Sequence, residues 1–123
     1  MSYTVKVGEY INVGLARDWL KNYISAPNFY HATPIKGHFF GSEKLIEISN
    51  LSGVVGTRFY HGLRPDKDEQ GNTIFEPVLM AVGVNKEGND ILTDPVTGKS
   101  AVLDMSSPCP TDCPQPGKGL EDY

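Results

Sequence analysis

The chain has 123 residues, of which 39% are apolar and 21% charged, and its net charge is −4. A domain of this size buries roughly two thirds of its unfolded surface, enough for one core. The acidic balance and the absence of a Lys/Arg cluster argue against a nucleic-acid binder that neutralises phosphates, and against docking on anionic membranes.

The first ten residues contain no apolar h-region, so no secretory signal peptide is read there. The longest apolar run, Pro77 to Val84, is far shorter than the ~20 residues of a membrane span. A soluble, cytoplasmic protein is expected. Apolar residues are bunched between Ile11 and Val84, which places the core there. A single domain over residues 1–104 with a Pro/Gly-rich tail over residues 105–123 follows.

Tyr3, Val5 and Val7 alternate with polar neighbours and suggest a brief edge strand. Asn12 is placed to cap a helix, with Ile11 as its staple residue. Leu15, Ala16, Trp19, Leu20 and Tyr23 then recur at helical spacing, which predicts a helix from about Val13 to Ile24. Trp19 and Tyr23 are read as its core anchors. Residues 27–41 form an aromatic-rich connection broken by Pro34, Gly37 and Gly41, expected to pack on its own aromatic rings. Ser42 is a capping candidate for a short second helix ending near Asn50, with Leu45, Ile46 and Ile48 as its apolar stripe.

Val54 to Val84 reads as one long hairpin around which the rest is organised. In its first strand, Val54 to His61, the residues Val55, Thr57, Phe59 and His61 share the expected core face. Arg58 and Tyr60 share the other. Arg64 to Asn72 is too polar to be buried and is read as the loop. The second strand, Phe75 to Val84, is apolar almost throughout, as expected of a central strand covered on both faces, with Pro77 at its start or at a bulge. Asn85 to Gly88 is a tight turn into a third strand near Asn89–Leu92, and Ala101–Leu103 is a candidate fourth. From Met105 the composition is that of a disordered tail.

Four local patterns carry chemistry worth weighing. Cys109 and Cys113 form a C-x₃-C pair. The sharp reading is a metal site, with zinc as the ion, completed by His31, His38 or His61; the second matching cysteine pair of a zinc knuckle is missing. A disulfide or free thiols are therefore favoured, and a redox role is weaker because the spacing is not C-x-x-C. Asp66 to Gly71 hints at a calcium loop but has Gln70 at the fifth position and a strand after it, so a solvated hairpin loop is preferred. Thr97-Gly98-Lys99-Ser100 ends like a phosphate-binding loop, yet Thr93 stands where its first glycine belongs and no βαβ unit can follow. Arg58, Tyr60, His61 and Asp90 form a candidate polar cleft. No catalytic residue can be assigned within it, because no nucleophile motif accompanies it.

Several phrases taken in order resemble a family of small uncharacterised bacterial proteins. They are Ile11-Asn12-Val13 through Ala16-Arg17-Asp18-Trp19-Leu20-Lys21-Asn22-Tyr23, Gly37-His38-Phe39-Phe40-Gly41 with the short helix after it, and Gly53 to Tyr60 with its Gly56-x-Arg58-x-Tyr60. Val82-Gly83-Val84 with Gly88-Asn89-Asp90, and Pro108-Cys109-Pro110-x-x-Cys113, complete the set. The resemblance implies an order of elements, helix–helix–β-meander with a cysteine tail, and no activity or cofactor.

The fold expected is α+β: two N-terminal helices on a three- or four-stranded antiparallel meander. Three functions are carried forward. The first is a non-enzymatic interaction module, engaging a protein partner or itself through a strand edge or the aromatic segment 29–40. The second is a metal-binding or redox protein using Cys109 and Cys113. The third is an enzyme with its cleft at the central hairpin.

Overall fold

The computed structural model describes residues 3–25, 35–104, 106–109 and 113–120. The architecture is α+β: two N-terminal helices, an antiparallel sheet, and a close C-terminal cysteine pair. Its elements are α1 (Val13–Ile24), β1 (Gly37–Phe39), α2 (Ser42–Ser49), β2 (Val54–Lys67), β3 (Thr73–Asn85), β4 (Asp90–Ile91) and β5 (Ser107–Cys109). One sheet has the order β2-β3-β4 and the other pairs β1 with β5. The chain falls into two compact units. The first gathers Met1–Gly8, Phe40–Gly62 and Val78–Ser106; the second gathers Glu9–Phe39, Leu63–Pro77 and Ser107–Tyr123.

The first unit is built on β3. Ala81, Val82 and Val84 are buried there in succession. Successive strand residues face opposite ways, so both faces of β3 are covered, as its apolar run implied. Fully burying a valine contributes about 1.5–3 kcal/mol. α2 covers one face. Its Leu45 and Ile48, three apart on one side of the helix, turn inward, and Ile48 is buried. Gly83 makes this close approach feasible: a Cβ there would meet Val54 Cγ2 at 2.6 Å and Ile48 Cγ2 at 3.5 Å. The Phe40 and Phe59 rings lie 6.1 Å apart. The turn Asn85–Asn89 reverses the chain into β4. Gly88 takes φ +86°, and the Asn85 side chain accepts from the amides of Glu87 and Asn89. β4 pairs with β3 at Gly83↔Ile91 and Val84↔Asp90. Leu103, expected on a fourth strand, makes one isolated bridge to Ala81.

The structure moves several expected boundaries. Ser42 is the first helical residue of α2 and not its cap; Gly41 holds the cap position without a side-chain bond. β2 runs on through Arg64-Pro65-Asp66-Lys67, so the hairpin loop shrinks to Asp68–Asn72. Asp68 organises it by accepting from the amides of Gln70 and Asn72. An outer strand needs no apolar face and tolerates proline, which is why the polar stretch misled. Pro77 lies inside β3. β4 pairs only from Gly83 and Val84, so at Pro77 the missing N–H interrupts no bond to that strand. The N-terminal segment forms no strand among its described residues; Val7 N donates to Thr4 O in a turn.

In the second unit, α1 spans the range expected. Asn12 Oδ1 caps it, accepting from Gly14 N at 2.8 Å and Leu15 N at 3.3 Å. Its packing differs from expectation. Ala16, Leu20 and Ile24 are half-buried, whereas Leu15, Trp19 and Tyr23 are exposed and no residue of the helix is fully buried. Tyr23 OH donates to Ile35 O at 3.2 Å. β1 and β5 pair as Gly37↔Cys109, His38↔Pro108 and Phe39↔Ser107, with Lys36 N donating to Cys109 O at 2.7 Å. Strands of three residues carrying Gly and Pro give no readable alternation, so neither was foreseen. No helix among the described residues is long and apolar enough to cross a membrane.

Candidate functional site

Arg58 and Tyr60 are two apart on β2 and so share a face. Asp90 opens β4 opposite Val84. The sheet brings the three together. Arg58 Nη1 donates to Asp90 Oδ1 and, at 3.3 Å, to Gly88 O, while Tyr60 OH donates to Asp90 Oδ2. The Arg58 guanidinium carbon also lies 6.0 Å from the centre of the Tyr3 ring, within the range of a cation–π contact. Side-chain exposure is 32% for Arg58 and 21% for Asp90, so water screens the pair only in part. The hydrogen bond to Tyr60, then the bond and charge of Asp90, raise the Arg58 pKa above its ordinary value against a lowering by burial.

This arrangement governs what the cluster can do. Both Asp90 oxygens accept hydrogen bonds, and the Tyr60 proton is directed at one of them. The carboxylate is thereby occupied as a strap from β2 to β4, the strands that flank β3 on either side. His61 is the next residue along β2, exposed and on the opposite face. Three of the four candidate cleft residues therefore converge, and His61 stands apart. Tyr3 was missed as a member; its ring sits against Gly88, where a Cβ would overlap it. The alternation Tyr3-Val5-Val7 was the available signal and pointed to a strand instead. A cavity of about 430 Å³ borders the cluster, lined among others by Tyr3, Val7, Val55, Arg58, Phe59 and Val84.

Cys109 and Cys113 are joined as a disulfide, with their Cα atoms 4.7 Å apart. Cys109 is half-buried in β5 and Cys113 is exposed. The bond uses both sulfurs, so in this state neither is a thiolate ligand for zinc. His38 sits on β1 opposite Pro108, and His31 lies outside the described residues. Among the described residues no group of three or more His, Cys, Asp or Glu side chains is gathered to hold a metal. The disulfide borders two cavities, of about 670 and 280 Å³; the smaller is also lined by Leu20, Lys36 and Leu120.

A third feature is apolar. Leu15, Trp19 and Tyr23 follow each other at four-residue steps along α1, and are 42%, 55% and 48% exposed. They form one stripe on the helix surface. The sequence displayed this stripe openly but assigned it to the core. A cleft of about 730 Å³ also runs between α2 and residues 94–103, with Ile46, Leu51 and Val102 on its walls.

No protein-family model matches the chain, and no curated protein or solved structure is significantly similar to it.

Proposed function

We propose that this chain is a non-enzymatic protein-interaction module whose contact surface is the exposed face of α1. One observation carries the reading: Leu15, Trp19 and Tyr23 stand in a row on a helix with no fully buried residue. An amphipathic helix is stable in a protein mainly through the burial of its apolar stripe. A contiguous exposed patch of this kind marks an interaction site, and Trp and Tyr are enriched among the residues that dominate binding energy. The spacing fits a helix laid into a groove on another polypeptide, with anchors one turn apart.

The test is light scattering coupled to gel filtration, run on the full chain alone and after mixing with extract of the cells that carry it. Mixing should add a species heavier than any that the 13.5 kDa chain forms alone, and Trp19→Glu should lose that species. A mass distribution that mixing leaves unchanged would overturn the proposal.

A second reading rests on the closed Cys109–Cys113 bond with Cys113 exposed: a redox-responsive protein. Exposed disulfides are the more readily reduced ones. Such a bond persists in oxidising surroundings, so it supports a location outside the reducing cytosol over the cytoplasmic one expected from the sequence. A catalytic reading has less support, because Asp90 spends both oxygens on Arg58 and Tyr60.

A further inference from the structure

We propose that the outer edge of β2, from Val54 to Gly62, is a self-association site at which a second copy of this chain adds its own β2 antiparallel. Two three-stranded sheets then join into one of six. This rests on the interaction reading above, and adds to it a second surface and a defined occupant.

β2 is an outer strand in the order β2-β3-β4. Among the described residues, no strand pairing, bridge or other backbone hydrogen bond reaches its outer edge between Val55 and Gly62. An open edge offers a row of N–H and C=O groups that another strand satisfies. Proteins normally blunt such edges with charge and proline. This strand does so along half its length only: Arg64-Pro65-Asp66-Lys67 guards the distal half, and Val54 to Gly62 contains neither Pro nor Lys. Its one formal charge, Arg58, is neutralised by Asp90. The unguarded stretch has the length of an ordinary strand.

The occupant follows from the stretch's complementarity to itself. Paired antiparallel about Thr57, it opposes Val55 to Phe59 of the second copy, Thr57 to Thr57, and Gly56 to Arg58. Aliphatic–aromatic and Thr–Thr pairs across strands are stabilising, and no like charges meet. A two-fold pairing of this kind closes on itself as a dimer, the commonest symmetric assembly, and leaves no further edge of the same kind.

Sedimentation equilibrium on the full chain tests this, using wild type, Thr57→Lys, Thr57→Glu and an equal mixture of the two variants. Wild type should be a reversible dimer. Each variant sets like charges against each other at the dyad and should weaken the dimer by roughly tenfold or more. The mixture should restore it as a heterodimer, which also shows that both variants fold. Should either variant fail to fold, amide exchange on the wild type decides: protection at Val55 to His61 that rises with concentration supports the site, and concentration-independent exchange there overturns it. A dimer undiminished in both folded variants overturns it as well. A wild type that stays a single chain overturns this site while leaving the α1 reading intact, because a foreign partner bound through Trp19 would survive.

Discussion

Gly83→Ala is the sharpest test of the packing that holds the first unit together. The added methyl would lie 2.6 Å from Val54 Cγ2, 3.4 Å from Val54 Cγ1 and 3.5 Å from Ile48 Cγ2. The first of these is closer than carbon atoms approach, and Val54 is β-branched, with little rotamer freedom to yield. Overpacking of this size costs about 1–3 kcal/mol. Replacing Gly by Ala also restricts the unfolded chain, worth about 0.4–1 kcal/mol in the opposite direction. The net expectation is a loss of roughly 1–2 kcal/mol. Urea unfolding followed by circular dichroism reads it as a lower midpoint at unchanged slope. Two controls sharpen the reasoning. Gly56 has open space where its Cβ would stand, so Gly56→Ala should be neutral or mildly stabilising. Val54→Ala introduced with Gly83→Ala should recover part of the loss, because the two sites are in contact and their effects should not add. A Gly83→Ala chain as stable as wild type would refute the account of how α2 and Val54 close over β3.

Three further expectations follow from the same geometry. Removing the five-residue loop closure with Cys113→Ser should cost about 2 kcal/mol in the chain-entropy model, read by thermal unfolding with and without reductant; wild type treated with reductant should converge on the variant. Asp90→Ala should lower the melting temperature, and the deficit should shrink in high salt as the Arg58 pair is screened. The sign with pH is fixed by Arg58: its pKa is raised, so its contribution is present below the ordinary arginine range and lost only as pH rises through the raised value. The Arg58 part of the deficit should accordingly stay level from neutral to mildly alkaline pH. Gly88→Ala should destabilise by about 1–3 kcal/mol, since it forces an L-residue to positive φ and displaces the Tyr3 ring; denaturant unfolding reads it, and full stability would contradict the placement of Tyr3.

The parts of the fold legible in the sequence were those with long, regular patterns. α1 was placed from Val13 to Ile24 by its spacing and its Asn12 cap, and β3 by an apolar run that only a strand covered on both faces needs. The convergence of Arg58, Tyr60 and Asp90 was half visible: parity put the first two on one face, and only the register of β4 brought the third. What stayed hidden has physical causes. β1 and β5 are three residues long and stabilised by each other, so no local signal marks them. Arg64 to Lys67 is strand because an outer edge accepts polar residues and proline. Trp19 and Tyr23 were assigned to the core because periodicity reveals that a helix has an apolar face, and nothing in it says whether the same chain covers that face.

Trp19 is the single tryptophan of the chain, and it lies in the middle of the proposed contact surface. Its fluorescence therefore tests the central claim without modification of the protein. In the isolated chain it should emit as a solvated indole and be readily quenched by iodide. In the complex separated by gel filtration its emission should shift to the blue and its quenching should fall several-fold. A Trp19 shielded already in the isolated chain, or one equally quenched in the complex, would contradict the assignment of α1 as the surface through which this protein binds.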